Sequence, residues 1–224
     1  MPLRPRFLLA LAFAAAPVAH AEGVAVGAQA GTLGLGASLT FGLTDQLNVR
    51  GLFNTFSYEF DDEASDIEYE FDLDLGSVGA TIDWHPGGSG FRISAGAFRN
   101  DNEVAGVGRP VAGTLVEIGD TLFPAEAVDR AEADLSFDDF VPYLGIGWGN
   151  AVGPGKRLGV NLDVGVLFQG APQADFRAFA ADDAPAGLQE LLDQEVAREE
   201  AEIQDDLDQF EFYPVVSLGL SWKF

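Results

Sequence analysis

Thirty-six Asp and Glu against twelve Lys and Arg give this 224-residue chain a large surplus of hard oxygen ligands. The densest runs, Asp61, Asp62 and Glu63, and Asp205, Asp206 and Asp208, are where a Ca²⁺ or Mg²⁺ ion could be held. Neither run has the spacing of an EF-hand loop. Runs of like charge are usually solvated, so a hydrated acidic face is expected and no metal site is assigned. A second charged set is sparse and mixed in sign: Arg50, Asp83, Arg92 and Asp163. With no cysteine, thiolate metal sites, thiol nucleophiles and disulfides are excluded together, and no motif calls for a cofactor. One of the two histidines, His20, lies in a leader-like segment, which leaves His85 as the remaining imidazole base. The acid surplus, with a pI near 4.1, leaves no basic footprint for nucleic acid. Eighteen Phe, 4 Tyr and 3 Trp are too much aromatic surface for a disordered acidic chain.

The elements that must position these groups are strands. Residues 1–21, MPLRPRFLLALAFAAAPVAHA, carry Arg4 and Arg6 before an apolar run and end in Ala-His-Ala, the order of a secretory leader cleaved after Ala21. Residues 22–224 are then expected to form one domain, in which no apolar run approaches the roughly 18 to 20 residues of a spanning helix. From residue 23 the apolar period is 2. In Leu158–Phe168, Leu158, Val160, Leu162, Val164, Val166 and Phe168 share one face, and this length suits a tilted membrane strand of about 9 to 11 residues. The pattern predicts eight strands, roughly 23–30, 33–42, 47–60, 66–84, 90–101, 132–149, 158–170 and 211–224. The first two could instead be one strand kinked at Gly31. Short connections at 43–46, 85–89 and 150–157 alternate with long ones at 102–131 and 171–210, as periplasmic turns alternate with outer loops. The expected fold is therefore all-β, an eight-stranded antiparallel transmembrane β-barrel. Trp84, Trp148 and Trp222, with Phe41, Phe91 and Phe224, would form its periplasmic aromatic girdle.

Three strands exchange their apolar face partway along. In 66–84, Val78, Ala80, Ile82 and Trp84 are even and apolar, while farther out Glu68, Glu70, Asp72 and Asp74 are even and acidic, and Ile67, Tyr69, Phe71, Leu73 and Leu75 become the apolar set. Strands 132–149 and 47–60 do the same. A bulge would shift parity. The preferred alternative is a membrane boundary, above which the outer face meets water and the apolar set turns inward. It predicts an extracellular extension with an apolar interior, in which Phe56, Tyr58, Phe71, Leu73 and Phe137 could line a ligand site. Below it the inward positions are small or polar, and Arg50, Asp83, Arg92 and Asp163 among them must pair, because an isolated buried charge is too costly. Side chains roughly fill an eight-stranded barrel, so a plug is expected over a pore.

Of the 36 acids, 32 fall in 59–74, 101–139 and 175–211 beside 4 arginines, which gives the outer segments a net charge of −28. Within the outer loop 170–210, the period changes at about 186–209: Leu188, Leu191, Leu192, Val196, Ile203 and Leu207 recur at helical spacing after Pro185. This amphipathic helix would serve as a lid or buttress. The closing residues YPVVSLGLSWKF carry Ser217, Gly219, Trp222 and Phe224 in a pattern that resembles the C-terminal signal read by the outer-membrane barrel assembly machinery. With GTLGLGASLTFGLTDQLNVRG, GFRISAGAFRN and PYLGIGWGN, the mature chain resembles small proteobacterial outer membrane β-barrel proteins, near the OmpW and OmpA-barrel group. The resemblance implies fold and location but no settled activity. Barrel enzymes of this kind use a histidine near the outer leaflet, whereas His85 is expected in a periplasmic turn, out of reach of a nucleophile there, so no enzyme is expected. Two roles remain: a structural or surface-interaction barrel that meets outer membrane lipid and lipopolysaccharide through bridging divalent cations, or a binder of a small hydrophobic molecule under the helix.

Overall fold

The computed structural model describes residues 23–64, 67–119, 121–155, 157–207 and 210–224, so the expected leader lies outside the described residues. Strict alternation gives strands whose backbone groups can be satisfied only by neighbours, and here the neighbours close on themselves. β1 (Gly23–Gly31), β2 (Gly34–Thr44), β3 (Leu47–Ala64), β4 (Ile67–Trp84), β5 (Phe91–Asn100), β10 (Phe140–Trp148), β11 (Leu158–Phe168) and β13 (Phe212–Lys223) form an antiparallel ring, closed by β13 against β1. The first two segments are a hairpin with Gly23 opposite Gly42, and at its tight turn Gly34 adopts φ +90°. Outside the ring stand Ile82, Leu144, Val160 and Leu218, all more than half exposed. Trp84, Trp148 and Trp222 project outward at one end, each nearly half exposed, and Trp148 packs edge-on against Phe91 at 5.4 Å.

Both segments expected as long loops contain strands. The upper halves of β3 and β4 rise beyond the ring and leave the upper edge of β4 to be paired. β6 (Glu103–Pro110) takes that edge, β9 (Val128–Ser136) pairs with β6, and β12 (Gln173–Ala180) pairs with β9. β7 (Leu115–Ile118) and β8 (Thr121–Pro124) form a separate hairpin. The predicted strand 132–149 is two strands, broken at 137–139, because its halves serve the upper sheet and the ring respectively.

The register decides the change of face. β3 and β4 pair without a slip from Leu47 opposite Trp84 to Ala64 opposite Ile67, so neither contains a bulge. Odd residues of β4 therefore keep one side throughout. Low in the ring that side carries Ser77, Thr81 and Asp83, all buried; above, it carries Leu73, Phe71, Tyr69 and Ile67, while Glu68, Glu70, Asp72 and Asp74 stay exposed on the other. The same offset continues from β5 into β6, with Ser94 opposite Asp83 and Glu103 opposite Asp74. From β10–β11 to β9–β12 the register slips by one residue, around Gly170 at φ +71°, and the β2–β3 and β9–β12 ladders shift between Gly42 and Thr44 and between Phe179 and Ala180.

The upper sheet has two edges. Along β12 lies α1 (Leu188–Leu207), whose side chains bond the free backbone groups of that strand. Gln204 accepts from the Ala174 N–H at 3.3 Å, Glu200 from Phe176 at 3.2 Å and Gln189 from Ala180 at 2.9 Å. Gln189 and Gln204 in turn donate to the carbonyls of Ala178 and Pro172. Fully buried Leu192 anchors the helix in a cluster of Val116, Ile118, Phe123, Val128 and Ala178. The helix is thus a buttress on a sheet edge. At the other edge, the upper half of β3 has no strand partner beyond Thr55 on its β2 side among the described residues.

Replacing Leu192 with Ala should cost about 2 to 5 kcal/mol at a buried leucine. The loss should be local, with faster hydrogen exchange at Ala174, Phe176 and Ala180 and unchanged exchange in β1, β2 and β13. Uniform acceleration through the ring would refute this division.

Candidate functional site

Four charges from four strands meet inside the ring. Arg50 of β3 and Arg92 of β5 point inward by the same alternation that sends Val49, Phe91 and Ile93 outward, and they face Asp83 of β4 and Asp163 of β11. Arg50 grips Asp163 with both terminal nitrogens at 3.0 Å and reaches Asp83 through Nε at 3.0 Å. Arg92 Nη2 donates to the same Asp163 oxygen at 2.6 Å, and its Nη1 donates to the carbonyl of Gly149. The Thr81 hydroxyl donates to Asp83 at 3.0 Å. All five residues are less than a tenth exposed, so the formal charges balance where solvation is poorest.

Above this cluster lies a second, apolar closure. Leu33, Phe98, Val141, Tyr143, Leu167 and Val215 are buried together, with Phe98 edge-on to Tyr143 at 5.5 Å. Glycines make room for these side chains. A Cβ on Gly79 would enter the Phe98 ring, on Gly145 or Gly165 it would strike Tyr143, and on Gly147 it would come to 2.8 Å from the Arg92 guanidinium. Two cavities of about 20 Å³ remain in the lumen, one on each side of the ion cluster, each room for about one water. The sequence reading missed this layer, although Phe98 lies at the inward parity of Arg92 and Ser94 and the glycines opposite it were visible.

His85 lies just below the ion cluster, buried in the turn that follows β4. Asn48 Nδ2 lies 3.0 Å from its Nε2 and donates to it, while its Nδ1 donates to the carbonyl of Ser89 at 3.1 Å. Burial lowers its pKa below the usual 6.5, so the ring is neutral at pH 7 with both nitrogens engaged.

The upper sheet holds the other candidate set. Phe71 and Leu73 lie on the concave face, and Phe56 and Tyr58 continue it across β3, opposite Leu75 and Leu73. Their rings belong to a ladder: Phe56 to Tyr58 at 6.4 Å, Tyr58 to Phe60 at 5.8 Å, Phe60 to Phe71 at 5.0 Å and Tyr69 to Phe71 at 5.7 Å. A cleft of about 240 Å³ opens between this face, the β7–β8 hairpin and α1. Of the five residues expected to line a ligand site, Phe71 alone borders this cleft. Phe56 and Tyr58 lie farther along the ladder and are exposed, Leu73 lies below, and Phe137 sits in the break between β9 and β10, which was not visible as a break in the alternation.

Among the described residues no group of three His, Cys, Asp or Glu side chains is placed to hold a cation. Asp61 is exposed in β3. The side chains of Asp62, Glu63, Asp205 and Asp206, and all of Asp208, lie outside the described residues. At the chain end, Ser217 and Gly219 pair with Gly31 and Gln29, Trp222 pairs with Val26, and the Phe224 N–H donates to Val24, so the expected assembly signal is the strand that closes the ring.

Neither protein-family models nor curated sequences give a match to this chain. Among solved structures, the crystal structure of Acinetobacter baumannii CarO2 matches with a TM-score of 0.58 at 21% identity, covering 90% of this chain and 98% of that one. Acinetobacter baumannii CarO matches with a TM-score of 0.57 at 22% identity and the same coverage. At such identity the likeness is one of fold.

Asp163 serves two arginines and Asp83 one. Asp163→Ala should therefore cost about 3 to 5 kcal/mol, the usual penalty for breaking a buried pair, and Asp83→Ala distinctly less. Denaturant unfolding of the two variants in one lipid system measures the difference, and equal losses would contradict the arrangement.

Proposed function

We propose that this chain is a non-conducting bacterial outer membrane β-barrel with a structural or surface-interaction role, displaying an acid-coated sheet on the outside. The observation that supports the reading is the pair of layers inside the ring, ion cluster below and apolar cluster above, beside cavities of about 20 Å³ each. Three further features support the location. Outward residues of the ring are apolar up to Arg99, which stands opposite Val78, the tryptophans gather at one end, and the outer face turns acidic above Val78 without a break in register. The fold likeness to the two CarO structures agrees with it. In this reading the leader directs export, and the closing strand with Ser217, Gly219, Trp222 and Phe224 is what the barrel assembly machinery would read. The acidic surface would meet lipopolysaccharide through bridging divalent cations, since carboxylate and phosphate repel each other without them.

The reading is not catalytic. His85 has both ring nitrogens occupied by Asn48 and Ser89 and lies at the end of the ring away from the acidic sheet. A second reading, binding of a small hydrophobic molecule, is favoured by one observation, the apolar cleft in the upper sheet.

Purified full-length protein in planar bilayers should show no stable conductance, and large steady channels would overturn the plugged lumen. Spin labels placed along β4 should change from oxygen-accessible at Val78 to accessible to a water-soluble relaxant at Asp72. Lipid exposure at Asp72 would place the boundary elsewhere.

A further inference from the structure

The cleft is built by pairing large residues on one strand with the smallest on the next. Tyr69 and Phe71 of β4 stand over Gly108 and Gly106 of β6, where an added Cβ would come to 3.3 Å from the Tyr69 ring and 3.2 Å from that of Phe71. Beyond the glycines, Ala131 and Ala133 of β9 keep the floor low, and Phe176, Val116, Ile118 and Val196 supply the walls. The resulting 240 Å³ exceeds the roughly 150 Å³ cavity that admits benzene.

Its surroundings are net negative. The lining includes Glu199, whose carboxylate accepts from the Gly119 N–H at 2.9 Å, while Glu117, between inward Val116 and Ile118, is exposed on the other face of β7. Arg177, the one basic residue of the lining, is engaged by Asp175 at 2.8 Å, and Glu132, its partner in register, by Arg130 at 2.7 Å. The outer segments around the cleft carry a net −28, which concentrates cations and repels anions. The faces of Tyr69 and Phe71, stacked 14° from parallel, are the negative side of the ring quadrupole.

We propose that this cleft binds a small hydrophobic cation, an aromatic or short-alkyl body of one or two rings bearing an ammonium group. The body would fill the space against Tyr69 and Phe71, with the charge toward Glu199. The inference rests on the reading that the upper sheet stands in water outside the membrane. It names the chemistry of the second role and is independent of the plugged lumen.

Phenyltrimethylammonium, its neutral isostere tert-butylbenzene, and benzoate would be titrated into the full-length protein in nanodiscs, with empty nanodiscs as the partition control. The expected result is saturable binding of the cation, at least tenfold weaker binding of the neutral isostere and none of benzoate. Ala133→Phe, which fills the cleft, should abolish binding. Tyr69→Leu, which keeps the apolar volume but removes a π face, should weaken the cation several-fold and leave tert-butylbenzene unchanged, and it carries the test if Ala133→Phe fails to fold by circular dichroism. Absence of saturable binding, equal affinity for the neutral isostere, or indifference to both substitutions would overturn the proposal. Spin labels along β4 read the membrane boundary on which the inference rests, and bilayer conductance reads the lumen, so a failure here is distinguishable from a failure of either reading.

Discussion

The unbroken ladder between β3 and β4 sets the terms for the rest of the molecule. Eighteen consecutive residue pairs hold a single register, so each side chain is committed to one face for the full height of the structure. The ring accounts for only the lower part of that height. Above it, the outer edge of β4 presents backbone donors and acceptors that need partners, and β6, β9 and β12 follow in succession as each new edge is covered. The succession ends where a helix replaces a strand, with Gln189, Glu200 and Gln204 supplying to β12 the hydrogen bonds a further strand would have made.

With the faces fixed, chemistry must change along the strand in place of geometry. Inside the ring the buried charges meet in opposite-sign groups and the large residues are matched by glycines. Asp163 and Arg50 each bridge two partners of opposite sign, which lets four buried charges neutralise one another. Phe98 and Tyr143 occupy the space that Gly79, Gly145 and Gly165 leave open. Above the ring the same inner face becomes aromatic and the outer face acidic, which is the ordering expected when the surroundings change from lipid to water.

The ring strands were legible because alternation over ten or more residues is a strong signal, and so were the four lumen charges, which share the inward parity of their strands. The tryptophans marked one end by type alone. The upper strands were harder. β6 reads EVAGVGRP, with glycines under Phe71 and Tyr69, and without knowledge of those rings the glycines look like loop residues. β9 and β12 are short and carry acids and alanines on opposite faces, a weak contrast beside that of a lipid-facing strand. The helix was legible from its period, but its position was not, because edge capping depends on Gln and Glu side chains that a hydrophobic pattern ignores. Of the residues expected to line a ligand site, Phe71 borders the cleft and Phe56, Tyr58, Leu73 and Phe137 do not. Phe56 and Tyr58 share the face with Phe71, but the cleft is closed by α1 and β7–β8, whose placement no local spacing encodes.

Among the described residues the edge of upper β3 has no strand partner beyond Thr55 on its β2 side. A long exposed edge with aromatic neighbours invites another strand, and this one carries Phe56, Tyr58 and Phe60 on its concave side, each 40% exposed or more. Its opposite side carries Glu59 and Asp61, in register with Asp72 and Glu70 of β4. A strand docking there would bring its own side chains beside this row of carboxylates, and a second copy of the chain would bring the same charges, a like-charge juxtaposition that disfavours pairing. A small solute that reaches only the concave face meets rings and no carboxylate row. The same alternation that separates apolar from acidic residues thus separates two kinds of contact, leaving the aromatic face open to molecules and its backbone edge guarded against chains.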